Sequence, residues 1–200
     1  MLDRSIPFYN VILKCENYNN TEVSLPAGYH IRNYQAGDEK AWAKLEYEIG
    51  DFSSENEAEE YFISSYCKNS EELRERCFFA ADEQNNIVGS CIAWHDKRGA
   101  GQAASLHWLV ASPAHEGKKL GKALVQTVMR VFQEKNELPV YIHTQPWSYV
   151  AILLYVRQGF KLQTTDTFSH YENQYAQAMD VLKKILTAEQ YDELASCSER

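Results

Sequence analysis

Along this chain, stretches whose apolar residues recur at every second position alternate with stretches where they recur at every third or fourth. Phe8-Tyr9-Asn10-Val11-Ile12-Leu13-Lys14 is β-rich, and Asn17 to Thr21 reads as a polar loop. Tyr29 to Tyr34 alternates as a strand, with His30, Arg32 and Tyr34 on one side and Tyr29 and Ile31 on the other. Asp38 is expected to cap a helix that runs to Ile49. Ser54-Glu55-Asn56-Glu57 has the spacing of a capping box and opens a second helix, whose apolar members include Ala58, Tyr61, Phe62 and Tyr66.

A β-hairpin follows, Cys77 to Ala81 and Ile87 to His95, joined by the polar turn Asp82 to Asn86. A second turn carrying Gly99 and Gly101 leads into a strand from Ala104 to Ala111. Leu120, Leu124, Val128 and Phe132 lie one helical turn apart and predict an amphipathic helix from Leu120 to Lys135. Val140 to Thr144 reads as a short strand, Tyr149 to Arg157 as a helix closed by Gln158-Gly159, and Phe160 to Thr165 as one more strand. In the tail, Tyr175, Met179, Leu182 and Leu186 have helical spacing, and Thr187 with Gln190 forms a capping box for a last helix.

The order is strand, two helices, antiparallel strands, then β-α-β-α-β. It implies an α/β (α+β) domain around a mixed, mostly antiparallel sheet flanked by helices. Residues 25–167 would form that domain, with an N-terminal strand and loop at 1–24 packing on it and a helical extension at 168–200. No seventh strand is evident after Phe160 to Thr165, where the pattern turns helical, and Phe8 to Lys14 is the spare strand. The tail after Tyr171 leaves two readings open, a homodimer contact or a lid over the sheet.

Composition narrows the partners. The 200 residues carry a formal net charge of −8, which argues against nucleic acid and is compatible with a cationic substrate. Cys15, Cys67, Cys77, Cys91 and Cys197 are odd in number, widely spaced and form no CxxC. With no signal peptide evident, they point to free thiols in a reducing cytoplasm. No apolar run approaches the roughly 18 residues of a membrane span. His115-Glu116 begins like the zinc motif HExxH, but Lys119 stands at the second histidine position, so no metal is expected.

The chemistry-bearing segment is Glu116-Gly117-Lys118-Lys119-Leu120-Gly121-Lys122-Ala123, between a strand and a helix. The first turn of a helix leaves N–H groups without partners, its dipole favours negative charge, and lysines add long-range attraction. A solvated turn is the plain alternative to a phosphate cradle. The spacing is not that of a nucleotide P-loop, which needs four residues between its glycines and a Ser or Thr after the lysine. Here three residues intervene, and Ala123 follows Lys122.

Downstream, Ala151-Ile152-Leu153-Leu154-Tyr155-Val156-Arg157-Gln158-Gly159-Phe160 ends a helix in Tyr-x-x-x-Gly-Phe. With the lysine turn at the expected separation before it, the chain from about Tyr29 to Thr165 resembles the GNAT superfamily of acyl-CoA-dependent N-acyltransferases. His143-Thr144-Gln145-Pro146-Trp147-Ser148 also looks like a subset of its bacterial members. The family signature is Q/R-x-x-G-x-G/A. Glu116 stands where Gln or Arg is usual, Lys119 replaces the first glycine, and Gly121 matches the second.

The resemblance implies acetyl-CoA as co-substrate and an amine, a small molecule or a protein amino group, as acceptor. Backbone groups of Gly117, Lys118, Lys119, Leu120, Gly121 and Lys122 would hold the pyrophosphate, with Glu116 beside them. The strands Leu106 to Ala111 and Val140 to Thr144, parallel in this family, would splay. Leu109 and Val110 would then bind the pantetheine arm, and the Val110 N–H would face the thioester oxygen. Ser148 stands where many relatives have a pantetheine-binding Asn, and Arg157 is counted with it.

Tyr155 is the implied acid, because a phenol's ordinary pKa of roughly 10 lies above that of a thiol. Candidates for the base are Glu46, Glu48, His107 and His143, unless water carries the proton off. Glu46, Glu48, Asp51, Glu55, Glu57, Glu59 and Glu60 lie near Tyr47, Phe52 and Tyr61, which suits a cationic amine and equally a solvated acidic helix face. The leading function is thus an N-acetyltransferase. The eroded signature at Glu116 and Lys119 keeps a non-catalytic CoA-binding or interaction module as the alternative.

Overall fold

A computed structural model of the chain describes residues 2–19 and 22–199; Asn20 and Thr21, the end of the expected polar loop, lie outside the described residues. Among the described residues there are eight strands and seven α-helices. The strands are β1 (Val11–Cys15), β2 (His30–Asn33), β3 (Cys77–Ala81), β4 (Ile87–Arg98), β5 (Gly101–Ala111), β6 (Val140–Thr144), β7 (Lys161–Gln163) and β8 (Ser198–Glu199). The helices are α1 (Glu39–Ile49), α2 (Glu55–Tyr66), α3 (Ser70–Arg76), α4 (Leu120–Glu134), α5 (Tyr149–Arg157), α6 (Tyr175–Ile185) and α7 (Ala188–Ser196). The strands form one mixed sheet in the order β2-β3-β4-β5-β6-β1-β7-β8.

Contacts divide the chain into two compact units, and both β4 and β5 contribute residues to each. The first unit comprises residues 2, 22–93 and 107–131. In it β3 pairs antiparallel with β2 and β4, setting Ile31 opposite Ala80 and Phe78 opposite Cys91. Trp42, Phe62, Leu73, Phe79, Leu124 and Val128 are fully buried in this unit, so α1 to α4 each place at least one apolar side chain in its core.

Two caps differ from expectation. Asp38 sits at the N-cap of α1 but makes no capping bond; its carboxylate takes both terminal nitrogens of Arg32 at 2.7 and 2.8 Å and the N–H of Gln35. A two-bond fork between full charges outweighs a single bond to a helix N–H. Ser54 does cap α2 by accepting the Glu57 N–H at 3.1 Å, yet Glu57 reaches back to Ser53 instead of Ser54, so only half of the box forms. The short α3, capped by Asn69, escaped sequence reading because Leu73 is its only buried apolar residue.

The second unit comprises residues 3–19, 94–106 and 132–199. Here the spare N-terminal strand finds its place. β1 lies between β6 and β7, antiparallel to both, with Leu13 opposite Ile142 on one side and Leu162 on the other. β6 is parallel to β5 through Ala104–Val140 and Ser105–Tyr141, as the resemblance implied. β8, which sequence reading did not anticipate, adds to β7 in parallel through Leu162–Ser198 and Gln163–Glu199. The Thr187–Gln190 capping box at α7 is complete. Among the described residues, no helix is long and apolar enough to cross a membrane.

Leu13 is fully buried between two strands. A Leu13→Ala variant is therefore expected to lose about 3 kcal/mol of stability, read as a fall in thermal midpoint of roughly 6–12 °C.

Candidate active site

β5 does not run straight. Trp108 has φ +50°, a left-handed conformation rare for a bulky residue and costly within a strand. Several contacts of the first unit hold it. The buried Ser90 hydroxyl donates to the Trp108 carbonyl at 3.3 Å. The indole meets Trp42 edge-on at 5.3 Å between ring centroids, Tyr61 at 5.3 Å and Phe52 at 5.5 Å. Just beyond the kink, β4 approaches closely: a Cβ on Gly89 would lie 2.9 Å from the Val110 carbonyl oxygen. Sequence reading did not single out Trp108, Ser90 or Gly89.

After β5, Ser112 N–H donates to the Val88 carbonyl at 2.8 Å, and a single 3-10 turn, Pro113–His115, leads to the glycine-lysine segment. The Tyr29 hydroxyl and His115 Nδ1 lie 2.9 Å apart, which ties this turn to the segment before β2. Glu116, Gly117, Lys118 and Lys119 are exposed, and Leu120 is buried. Gly117 has φ +74° and Lys119 has φ +60°. Lys119 thus adopts, at the position of the first signature glycine, a backbone conformation that glycine takes freely. The first bond into α4 runs from Ala123 N–H to the Lys119 carbonyl at 3.1 Å. The N–H groups of Leu120, Gly121 and Lys122 therefore precede the helical ladder, at its positive end.

Glu46 is the other notable group of this unit. It lies on α1 one turn after Trp42, is only 1% exposed, and its Oε1 has no hydrogen-bond partner. Burial, reinforced by the nearby Asp51 charge, pushes its carboxyl well above the ordinary range. The other acidic residues of this region are half-buried or exposed, and some are engaged locally, Glu57 with Ser53 and Glu60 with Asn56. Glu48 lines a cavity of about 490 Å³ with Arg32, Lys44, Asp82 and His115, where Arg32 is already paired with Asp38. His107 Nδ1 lies 2.8 Å from the Tyr66 hydroxyl.

The remaining expected residues belong to the second unit. Tyr155 is buried in α5, its ring 5.9 Å from that of Phe160, and its carbonyl accepts from the N–H groups of Gln158 and Phe160. Gly159, with φ +93°, makes that helix end possible. The Ser148 hydroxyl accepts from the Gln145 side chain at 2.9 Å. Arg157 forks onto Glu193 of α7 through bonds of 2.8 and 2.6 Å, so binding an anion would require it to release that carboxylate. His143 stacks on Tyr171 and has Nε2 2.9 Å from Asn10 Oδ1. Burial, with His170 nearby, lowers its pKa to about 4, leaving the ring neutral at pH 7.

Residues 40–160, more than half of the chain, match the model of the Acetyltransferase (GNAT) family. The chain belongs to that family. A curated relative, mouse N-acetyltransferase family 8 member 3, is 32% identical over 119 residues, covering 58% of this chain and 52% of that protein. Among solved structures, a GCN5-related N-acetyltransferase from Sphaerobacter thermophilus superposes with a TM-score of 0.62 at 22% identity, over 78% of this chain and 49% of that one. The NatC complex bound to Gag peptide and CoA gives a TM-score of 0.50 at 15% identity, over 65% and 82% of the two chains. The chain spans about half the length of the mouse relative it matches. In GNAT terms, the matched span takes in Glu46, the β5 kink, the lysine turn, His143, Ser148, Tyr155 and Arg157.

Two stability measurements probe Lys119 and Glu46. Lys119→Gly removes a strained side-chain position and is expected to raise the thermal midpoint by roughly 2–4 °C, about 1 kcal/mol. For Glu46 the folded state keeps a proton that the unfolded state releases above its ordinary value of 4.5. Stability therefore falls as pH rises from there towards the folded pKa. In thermal melts from pH 5 to pH 9, Glu46→Gln is expected to remove that decline.

Proposed function

We propose that this GNAT protein is an N-acetyltransferase that moves an acetyl group from acetyl-CoA to a primary amine by direct attack in a ternary complex. The observation that carries the reading is the lysine turn. Although Lys119 departs from the signature, it keeps a left-handed backbone, and three N–H groups at the mouth of α4 stand ahead of the helical ladder. Such an end, with Lys118 and Lys122 exposed beside it, fits a pyrophosphate. The NatC complex, a fold neighbour, is bound to CoA, which supports the same ligand.

Acetyl-CoA supplies the acyl group as a thioester. The backbone N–H groups of Leu120, Gly121 and Lys122 hold its phosphates, and the kinked strand offers Leu109 and Val110 to the pantetheine arm. The Val110 N–H stabilises charge on the carbonyl oxygen as the amine attacks. The carbon–nitrogen bond forms, the carbon–sulfur bond breaks, and the Tyr155 hydroxyl protonates the departing sulfur. Glu46, whose raised pKa brings it towards that of a useful base, takes the proton from the amine. His143, already neutral, is the second candidate for that step. The five free thiols, three of them buried, support a reducing cytoplasm as the setting.

Acetyl-CoA is expected to raise the thermal midpoint of the wild type, and an amine screen is expected to detect free CoA thiol. Tyr155→Phe should show the same acetyl-CoA shift but release CoA about a hundredfold more slowly. No shift with the wild type refutes the reading. A shift with no transfer to any amine identifies a CoA-binding module instead.

A further inference from the structure

One pair of residues on α1 combines two unmade bonds. Trp42 and Glu46 occupy the same face of α1, and both are essentially inaccessible. Both carry a buried polar atom without a hydrogen-bond partner, Trp42 Nε1 and Glu46 Oε1. Leaving a buried donor and a buried carboxyl oxygen unmade costs free energy that an apolar pair would not. Such groups mark places where a ligand supplies what the protein lacks.

Around Trp42 stands an aromatic enclosure. Trp42 stacks nearly parallel to Tyr61, with centroids 6.3 Å apart, and meets Phe52 at 5.8 Å and Trp108 edge-on at 5.3 Å. Phe52 and Tyr61 also meet each other, at 5.4 Å. The cluster is not sealed. Tyr61 is 38% exposed, and Phe52 and Trp108 are each half-buried. Asp51, adjacent to Phe52, adds its charge to that felt by Glu46. A surface of ring faces and edges, packed on Trp42 one helical turn before a buried carboxyl, suits a cation that carries a flat apolar arm.

We infer that the amine acceptor is an aromatic alkylamine, whose ring lies on Tyr61, Phe52 and Trp108 and whose ammonium group is received by Glu46, which releases its own proton to solvent as the cation binds. This rests on the acetyltransferase reading and names the substrate class of the same site. Trp108 owes its place in the cluster to the kink in β5, so the residue that shapes the strand next to Leu109 and Val110 also lines the acceptor's path. Two neighbouring positions of one strand thereby serve donor and acceptor. A purely aliphatic amine would satisfy Glu46 and leave the rings without a partner.

The test uses phenethylamine and ethylamine, both ammonium ions at pH 7, titrated into the 200-residue chain without acetyl-CoA while tryptophan emission is followed. Phenethylamine is expected to saturate the signal at a concentration at least about tenfold lower than ethylamine. Tyr61→Leu, at a partly exposed position, and Glu46→Gln, which keeps the side-chain shape, should each raise the phenethylamine midpoint about tenfold. Both variants should still melt cooperatively. With acetyl-CoA added, the same preference is expected in kcat/KM, with Tyr61→Leu acting through the amine KM. Equal midpoints for the two amines, or no response to Tyr61→Leu, overturn the inference. If that happens while acetyl-CoA still stabilises the chain and ethylamine is acetylated, only the substrate class has failed. If acetyl-CoA gives no stabilisation but the aromatic preference persists, the transferase reading has failed and the amine site stands.

Discussion

Trp108 is held in a left-handed conformation in the middle of a strand, and the features of the first unit follow from that constraint. The strain is offset by packing: its ring contacts Trp42, Phe52 and Tyr61, and its carbonyl receives the Ser90 hydroxyl. A left-handed L residue in that position bends β5 just before Leu109 and Val110. Gly89 allows the neighbouring strand to close on Val110 without a side chain in between. Chain geometry, aromatic packing and the close approach of β4 are three aspects of one local arrangement.

The two charge environments of this unit differ in sign. At the mouth of α4, exposed lysines and unladdered N–H groups favour an anion. On α1, a buried carboxyl with an unmade bond favours a cation or a proton. An acyl transfer from a phosphate-bearing thioester to an amine needs both. Lys119 is unlike glycine in side chain but adopts a glycine-like backbone, and Glu116 is exposed.

In the second unit the sheet is completed by a strand from the start of the described chain. β1 fills the position between β6 and β7, and the two-residue β8 extends the sheet past β7. Leu13, opposite apolar residues on both sides, makes this insertion favourable. The tail helices belong to this unit as well, with Leu182 and Leu194 fully buried. Arg157, expected at the cofactor, is engaged with Glu193 of that tail.

What could be read from the sequence was local. The apolar spacing of Leu120 to Phe132, the Thr187–Gln190 box, the Gly159 helix end and the lysine turn all depend on residues a few positions apart, and each appears as expected. The Trp42 and Glu46 pair was visible too, as an i, i+4 spacing, but only tertiary burial distinguishes it from the solvated acids around it. Non-local contacts decided the rest. Asp38 was drawn from its cap by Arg32, Trp108 was turned left-handed by rings from α1 and α2, and the N-terminal strand was inserted beside residues more than a hundred positions away. Sequence periodicity reports which face of an element is apolar. Which partner covers that face, and which polar atom is left without water, is settled only when distant segments meet.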